Sequence, residues 1–571
     1  MKKAKKILVS IHALFVLLAL HVSGSLQGQS LILDWADGFG GVGIDNAFSH
    51  TTDELGNVYV TGSFADTVDF DPGPGTYFLE AVLFYDIYVA KFDNSGDLVW
   101  AFSCGGIGIE QGRGIVLDSE GNVFIAGYYQ NSVDFNPGAP FDYLLSMGAS
   151  DGFIAKYDND GNFIWVKTVS GTTTEAVNKL RIDAEGNLYF AGIFNGTVDF
   201  DPGAGTNNLT AGGLTSLYVC KWDSLGTVEW VYSEGGVIDE AYDLVLTNSG
   251  EIYATGYYSA DGDFEPGIGT TMVYGYGTKD IFVLKLDTAG NFIWARGMGG
   301  TKQDAGVSIV VDDLGYSYTT GWFEDTADFD PGVGVFEQIR ALYNGYICKL
   351  SPDGNLVWAG TIGAESDDLG YGIAIDQNTD IYNVGTFRYD ANFDFGTDTV
   401  ELSALGLRDG YLAKYDSSGV LYWAIQIGGY DADEGFAVTV NDLFKIYVIG
   451  NFGGTSDFDP GAGITELTAV SPTDGFLCKY SQPVSDVNDL ASGTAIRFWP
   501  NPTDQDLWVE VSGTSTPVTV DVFSASGQKI ACETVAPNEP VCLKINGEPG
   551  FYFARMHNSD GNLGDFKFVK Q

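Results

Sequence analysis

Trp35, Trp100, Trp165, Trp230, Trp294, Trp358 and Trp423 stand 65, 65, 65, 64, 64 and 65 residues apart, and similar text surrounds each of them. So regular a period over most of a 571-residue chain is the mark of a repeat architecture in which each unit buries its faces against its neighbours. Around Trp100, GIVLDSEGNVFIAGYY (114–129) reads as two strands about a Gly-containing turn, and DGFIAKYDNDGNFIWV (151–166) as two more. The segment between them carries VDFNPG. Four antiparallel strands, named a to d, repeated seven times, describe a seven-bladed β-propeller.

A ring of that kind has to close, and the ends of the repeat region supply the means. LILDW (31–35) matches a d strand but precedes the first a strand, whereas the seventh unit stops after its c strand, GFLCKY (475–480). The N-terminal strand is therefore expected to complete the last blade, which places the propeller at 31–480. Closure satisfies the strand edges internally and predicts a monomer.

The first 28 residues read as a secretory leader. Lys2, Lys3, Lys5 and Lys6 precede a mostly apolar run from Ile7 to Val22, and no cysteine follows nearby to take a lipid. No later run is apolar for long enough to span a membrane as a helix. The net charge of −48, more negative once the leader lysines are gone, repels nucleic acid and anionic lipid and favours cations. Cys220, Cys348 and Cys478 stand where sibling units have Ala and are read as small buried residues. Cys532 and Cys542 are placed to pair across neighbouring strands.

AGYYQNSVDFNPG (126–138) and DGFIAKYDNDGNFIW (151–165) resemble the SBBP-type bacterial β-propeller repeat proteins. The resemblance covers 31–480 and implies a fold and an extracellular setting, with no shared catalytic residue. After a polar linker, 481–495, residues 496–571 give strands separated by turns and are expected to form a small β-sandwich. Their Pro-Asn-Pro after Trp499, the strand ending in SASGQKI, the GFYF strand at 550–553 and the terminal Lys-Phe-Val-Lys resemble the C-terminal sorting domain of type IX secretion in Bacteroidota. That resemblance implies recognition by the type IX machinery and a cell-surface or secreted product.

One motif recurs in six units: VDFDPG (68–73), VDFNPG (133–138), VDFDPG (198–203), GDFEPG (262–267), ADFDPG (327–332) and SDFDPG (456–461). The sixth unit has only NFDFG at 392–396. Residues i and i+2 of an extended segment face the same way. Asp69 with Asp71, Asp134, Asp199 with Asp201, Asp263 with Glu265, Asp328 with Asp330 and Asp457 with Asp459 thus present oxygen ligands in sets. Calcium would neutralise such pairs; alternatively, each Asp accepts backbone N–H groups in an Asx-type turn ahead of Pro-Gly.

A second acid follows each Trp by ten residues: Asp45, Glu110, Glu175, Glu240, Asp304, Asp368 and Asp433. Each unit also carries one lysine on strand c, Lys91, Lys156, Lys221, Lys285, Lys349, Lys414 and Lys479, and the equal numbers predict one inter-blade link per unit. Only His50 and His557 lie beyond the leader, which excludes a multi-histidine zinc site. No nucleophile elbow, Walker loop or dinucleotide fingerprint is found. A specific site is expected where the repeat is broken: Arg388 and Tyr389 in unit six, and Trp322 and Tyr343 in unit five, are candidates for sugar stacking and hydroxyl bonding. The reading is a non-enzymatic module binding an extracellular protein or polysaccharide. An extracellular carbohydrate-active enzyme and a structural surface-layer component are the rivals.

Overall fold

The computed structural model describes residues 31–136, 143–233, 236–265, 270–364, 366–396, 399–461 and 463–482, and then 488–489, 495–499, 506–512, 517–524, 529–537, 540–545, 550–558 and 561–570. The leader, most of the linker, the Pro-Asn-Pro and most of SASGQKI lie outside the described residues. The described chain is all-β, and its strands pair antiparallel, with isolated parallel bridges such as Tyr85 to Ile109 between them.

The first unit shows the plan: strands a (Asn46–Thr52), b (Val58–Phe64), c (Asp86–Phe92) and d (Leu98–Gly106), each hydrogen-bonded to the next. Strands b and c are buried along their whole length, because both faces of the sheet are covered by neighbouring units. The a strands pack side by side in chain order. The last of them, Glu434–Val440, lies against the first, Asn46–Thr52, in a β-propeller-like ring. In the last unit the strand Asp474–Ser481 pairs with the N-terminal strand Ile32–Gly41, in a register that sets Trp35 against Lys479 and Phe39 against Gly475.

The repeated Trp holds the units together. The indole N–H groups of Trp35, Trp100, Trp230, Trp294 and Trp358 donate to carbonyls of Asn94, Asn159, Thr288, Pro352 and Ser417, each in the c–d turn of the following unit, at 3.0–3.3 Å. A large ring with a donor at its edge suits that position, since it fills the gap between sheets and satisfies a turn carbonyl.

The strands beyond residue 488 form two four-stranded sheets. Leu507, Val509, Val520, Val522 and Leu543 from both sheets share one core. Cys532 and Cys542 stand in different sheets and both are free thiols, so the expected pairing is not made. Cys104, Cys220, Cys348 and Cys478 are buried and free.

Candidate ligand-binding channel

The repeated motif is built as a clasp. In the first unit Thr67–Asp69 and Phe78–Glu80 form a short hairpin in the b–c connection, and that hairpin pairs with the d strand of the preceding unit, Asp69 with Gly40 and Val68 with Gly41. The aromatic residue of the motif anchors it: Phe70, Phe135, Phe200, Phe264, Phe329, Phe393 and Phe458 are all buried.

The acids of the motif make the turn behind that anchor. Asp69 Oδ1 accepts the amides of Asp71 (3.1 Å) and Tyr77 (2.7 Å), and Asp71 Oδ1 accepts that of Gly73 (2.8 Å). Asp199 and Asp201, Asp328 and Asp330, and Asp457 and Asp459 repeat all three bonds. Asp134 accepts from Asn136, and Asp263 from Glu265 and Thr271, with Glu265 bonded to the Thr271 hydroxyl. In unit six Asn392 and Asp394 do the same through Asp394, Val400 and Gly396 amides. The turn therefore needs an acceptor oxygen, which an amide supplies as well as a carboxylate. Among the described residues no three His, Cys, Asp or Glu side chains gather as a metal-holding group.

The second acid is also turned inward. Asp45, Asp304, Asp368 and Asp433 each bridge the amide four residues earlier, at the end of strand d, to the amide that follows strand b. In unit four, one residue shorter, Asp239 takes this place by accepting from Ser259, and Glu240 turns to Asn178 and the Tyr257 hydroxyl. In five units a second buried carboxylate, at the start of strand c, lies beside this one: Asp474, Asp86, Asp151, Asp280 and Asp409. Between Asp280 and Asp304 only glycine fits: a Cβ on Gly299 would meet Asp280 Oδ1 at 2.4 Å and Asp304 Oδ2 at 2.9 Å. Burial, and then the neighbouring carboxylate, push Glu110 up to about 8; burial raises Asp304 to about 7 and Asp433 to about 6 against their backbone hydrogen bonds. These pairs recur from unit to unit, so none stands apart as an acid–base pair.

The lysines serve the opposite end. Lys91 donates to Asn159 Oδ1 (2.8 Å), Lys349 to the Ser417 carbonyl (2.9 Å) and Lys479 to that of Asn94 (3.0 Å), all in c–d turns of the next unit. Lys156 and Lys285 instead pair with Asp118 and Glu251 within their own unit. Asp86 and Lys91 are five residues apart on one strand, about 16 Å. The expected link between the repeated acid and the lysine is therefore not made, because the strand carries them to opposite faces of the ring.

With the repeated residues thus engaged, the variable ones are left around the axis. Every a strand has a bulge at the same position, where the register skips one residue: Phe48, Arg113, Asn178, Tyr242, Val307, Tyr371 and Phe436. A bulge re-aims the skipped side chain, and all seven line one cavity of about 750 Å³ within the ring of a strands. Phe436 packs on Phe48 and Tyr371 at 6.1 and 5.3 Å between ring centroids.

A charged cluster also lines the cavity. Asp243 Oδ1 stands 3.2 Å from Arg181 and 3.8 Å from Lys179, while Asp243 Oδ2 accepts from Ser308 Oγ (2.7 Å) and the Ile309 amide (3.1 Å). Burial lowers the Lys179 ammonium against the attraction of Asp243. Burial, and then Lys179, push His50 down to about 3, so its ring is neutral; Nε2 meets Thr439 Oγ1 at 2.9 Å and Nδ1 is buried without a partner.

Of the residues singled out in the sequence, Trp322 lines this cavity and Tyr343 packs on it edge to face at 5.2 Å. Arg388 donates to the Leu407 carbonyl and lies 3.9 Å from Asp367, and Tyr389 is exposed in a left-handed turn position (φ 58°). Neither Arg388 nor Tyr389 lines the cavity. Sequence reasoning passes over the bulge residues, although each stands 12 or 13 residues after its Trp, six of the seven behind Gly or Ala, and the seven positions hold five different residue types.

No family model matches the chain. It is 23% identical over 500 residues to an uncharacterized WD repeat-containing protein of Acanthamoeba polyphaga mimivirus, covering 73% of this chain and 36% of that protein. It is 24% identical over 422 residues to the regulatory protein FlaEY of Caulobacter vibrioides, covering 68% of this chain and 41% of that protein. The chain thus spans well under half the length of these relatives. Among solved structures, a Bacteroides caccae protein of unknown function aligns at TM-score 0.28 and 10% identity over 59% of this chain and 89% of its own. The extracellular domain of a hybrid two-component system of B. thetaiotaomicron aligns at 0.22 and 11% over 92% and 80%. The WD-repeat relative and the seven-fold strand pattern agree on a β-propeller-like repeat protein.

Proposed function

We propose that residues 31–480 are a seven-bladed β-propeller closed by its N-terminal strand, and that 496–571 are a small β-sandwich that serves as a type IX sorting domain. The propeller is a non-enzymatic binding module, exported to the cell surface or the medium, and its ligand is an extracellular protein or polysaccharide. One observation carries the reading of the site: most of the repeated acids, lysines and tryptophans are spent on bonds within and between units, while the residues that differ between units converge on one cavity. Calcium at the DFDPG loops is not required by this reading, since their Oδ1 atoms already bond backbone amides.

The test is binding of the purified chain, without its leader, to a broad glycan array and to extracellular protein extracts, in calcium and again in chelator. Selective binding that Tyr242→Ala and Phe436→Ala both weaken, in calcium and chelator alike, supports the reading. Binding indifferent to both substitutions moves the site elsewhere, and binding lost in chelator alone gives the acidic loops a metal.

A further inference from the structure

The cavity is charged against the rest of the molecule. The chain carries a formal net charge of −48 with only 28 Lys and Arg. Three of those cations, Arg113, Lys179 and Arg181, line the cavity, against one carboxylate, Asp243. Asp243 is already committed to Arg181, Ser308 and two amides, whereas Lys179 has only a 3.8 Å approach to it. Lys179 keeps 22% of its side chain accessible, and that surface opens on the cavity. Holding an ammonium in so enclosed a place costs stability unless an anion joins it.

We propose that the cavity binds a short acidic saccharide, with a uronate carboxylate seated on Lys179 and Arg181 and the sugar rings stacked along the aromatic bulge residues. This rests on the reading that the cavity is the ligand site. The cavity volume of about 750 Å³ lies within the range of small-ligand sites, roughly 300–1,000 Å³. Phe48, Tyr242, Tyr371 and Phe436 offer flat faces for pyranose C–H groups, and each is half-buried. The acidic exterior selects chain ends over long polyanions, because only the part of the ligand inside the cavity escapes like-charge repulsion.

The experiment titrates the leader-free chain with tri-uronate oligosaccharides, with their neutral hexose counterparts, with a sulfated hexose trisaccharide and with inorganic sulfate. Uronate binding at least tenfold tighter than neutral binding, reduced tenfold or more in Lys179→Met and in Tyr242→Ala with their melting temperatures retained, is the expected result. If the sulfated sugar or sulfate alone binds equally well, the uronate assignment falls. If neutral sugars bind best and Tyr242→Ala still weakens them, the acidic class falls while the cavity stands. Uronate binding unchanged in both variants overturns the cavity itself.

Discussion

Replacing Glu110 by Gln should stabilise the protein, and by more as the pH rises. Glu110 is wholly buried; burial and the adjacent Asp86 raise it to about 8 from 4.5. Its carboxyl lies against the backbone without closing a hydrogen bond of ordinary geometry. A carboxyl whose folded-state value is raised binds its proton more tightly in the folded chain. Its contribution is fully present below the unfolded value and is lost as pH climbs from about 4.5 through about 8.

For a single site with those two values the loss is about 1 kcal/mol at pH 5 and about 3 kcal/mol at pH 7. Sharing of the proton with Asp86 makes the second figure an upper bound. Glutamine carries no ionisation cost, and its amide can donate to the orphan Asp86 Oδ1. The difference between variant and wild type is therefore expected to be small at pH 5 and to grow by about 2 kcal/mol at pH 7. In a domain of this size that is about 2 °C in melting temperature. Paired thermal melts at pH 5, 7 and 8 measure it. A variant less stable than wild type at every pH, or a difference that does not change with pH, refutes the reasoning.

Three further outcomes follow from the same structure. Asp199→Asn should change stability by less than about 0.5 kcal/mol, as Asn392 does the same work in unit six, whereas Asp199→Ala, losing acceptors for two amides, should cost about 1–2 kcal/mol; chemical denaturation separates them. Trp358→Phe and Lys349→Met remove two donors to the one Ser417 carbonyl, so a double-mutant cycle should show them coupled by about 0.5–1 kcal/mol, and strict additivity would contradict the shared turn. Deleting residues 31–41 strips the last unit of its d strand and exposes the edge of Asp474–Ser481; the shortened chain should aggregate or lose cooperative unfolding, and an unchanged melt would deny closure.

Much of this architecture could be read before any coordinates. The Trp period, the strand pairs and the placement of LILDW beside GFLCKY depend on local text that each unit repeats, and strand registers such as Trp35 against Lys479 follow from it. The site was less legible, for physical reasons. A repeated acid and a repeated lysine look like partners in one dimension, but Glu110 lies beside Asp86 at the start of strand c, and the seven-residue strand separates Asp86 from Lys91 by most of its length. The motif of unit six is worn in the sequence because Asn392 replaces a carboxylate, although the turn asks only for an oxygen. Asp239 could not be told from Glu240 by counting, since a shortened loop shifts the frame by one. The bulges were invisible because a skipped residue leaves the alternation on both sides looking intact. Their signal was the variability of one column among seven aligned units. The same logic, applied to fewer positions, singled out Trp322, which lines the cavity, and Tyr343, which packs against Trp322.

The central claim is that the repeated carboxylates build the ring and the bulged inner strands read the ligand. Hydrogen–deuterium exchange on the leader-free chain, with and without whichever array ligand binds tightest, tests it most directly. The account predicts ligand-dependent protection in the inner strands around Phe48, Arg113, Tyr242, Tyr371 and Phe436, with the hairpins carrying Asp69, Asp199, Asp328 and Asp457 unchanged. Protection confined to those hairpins, with the inner strands unaffected, would contradict it.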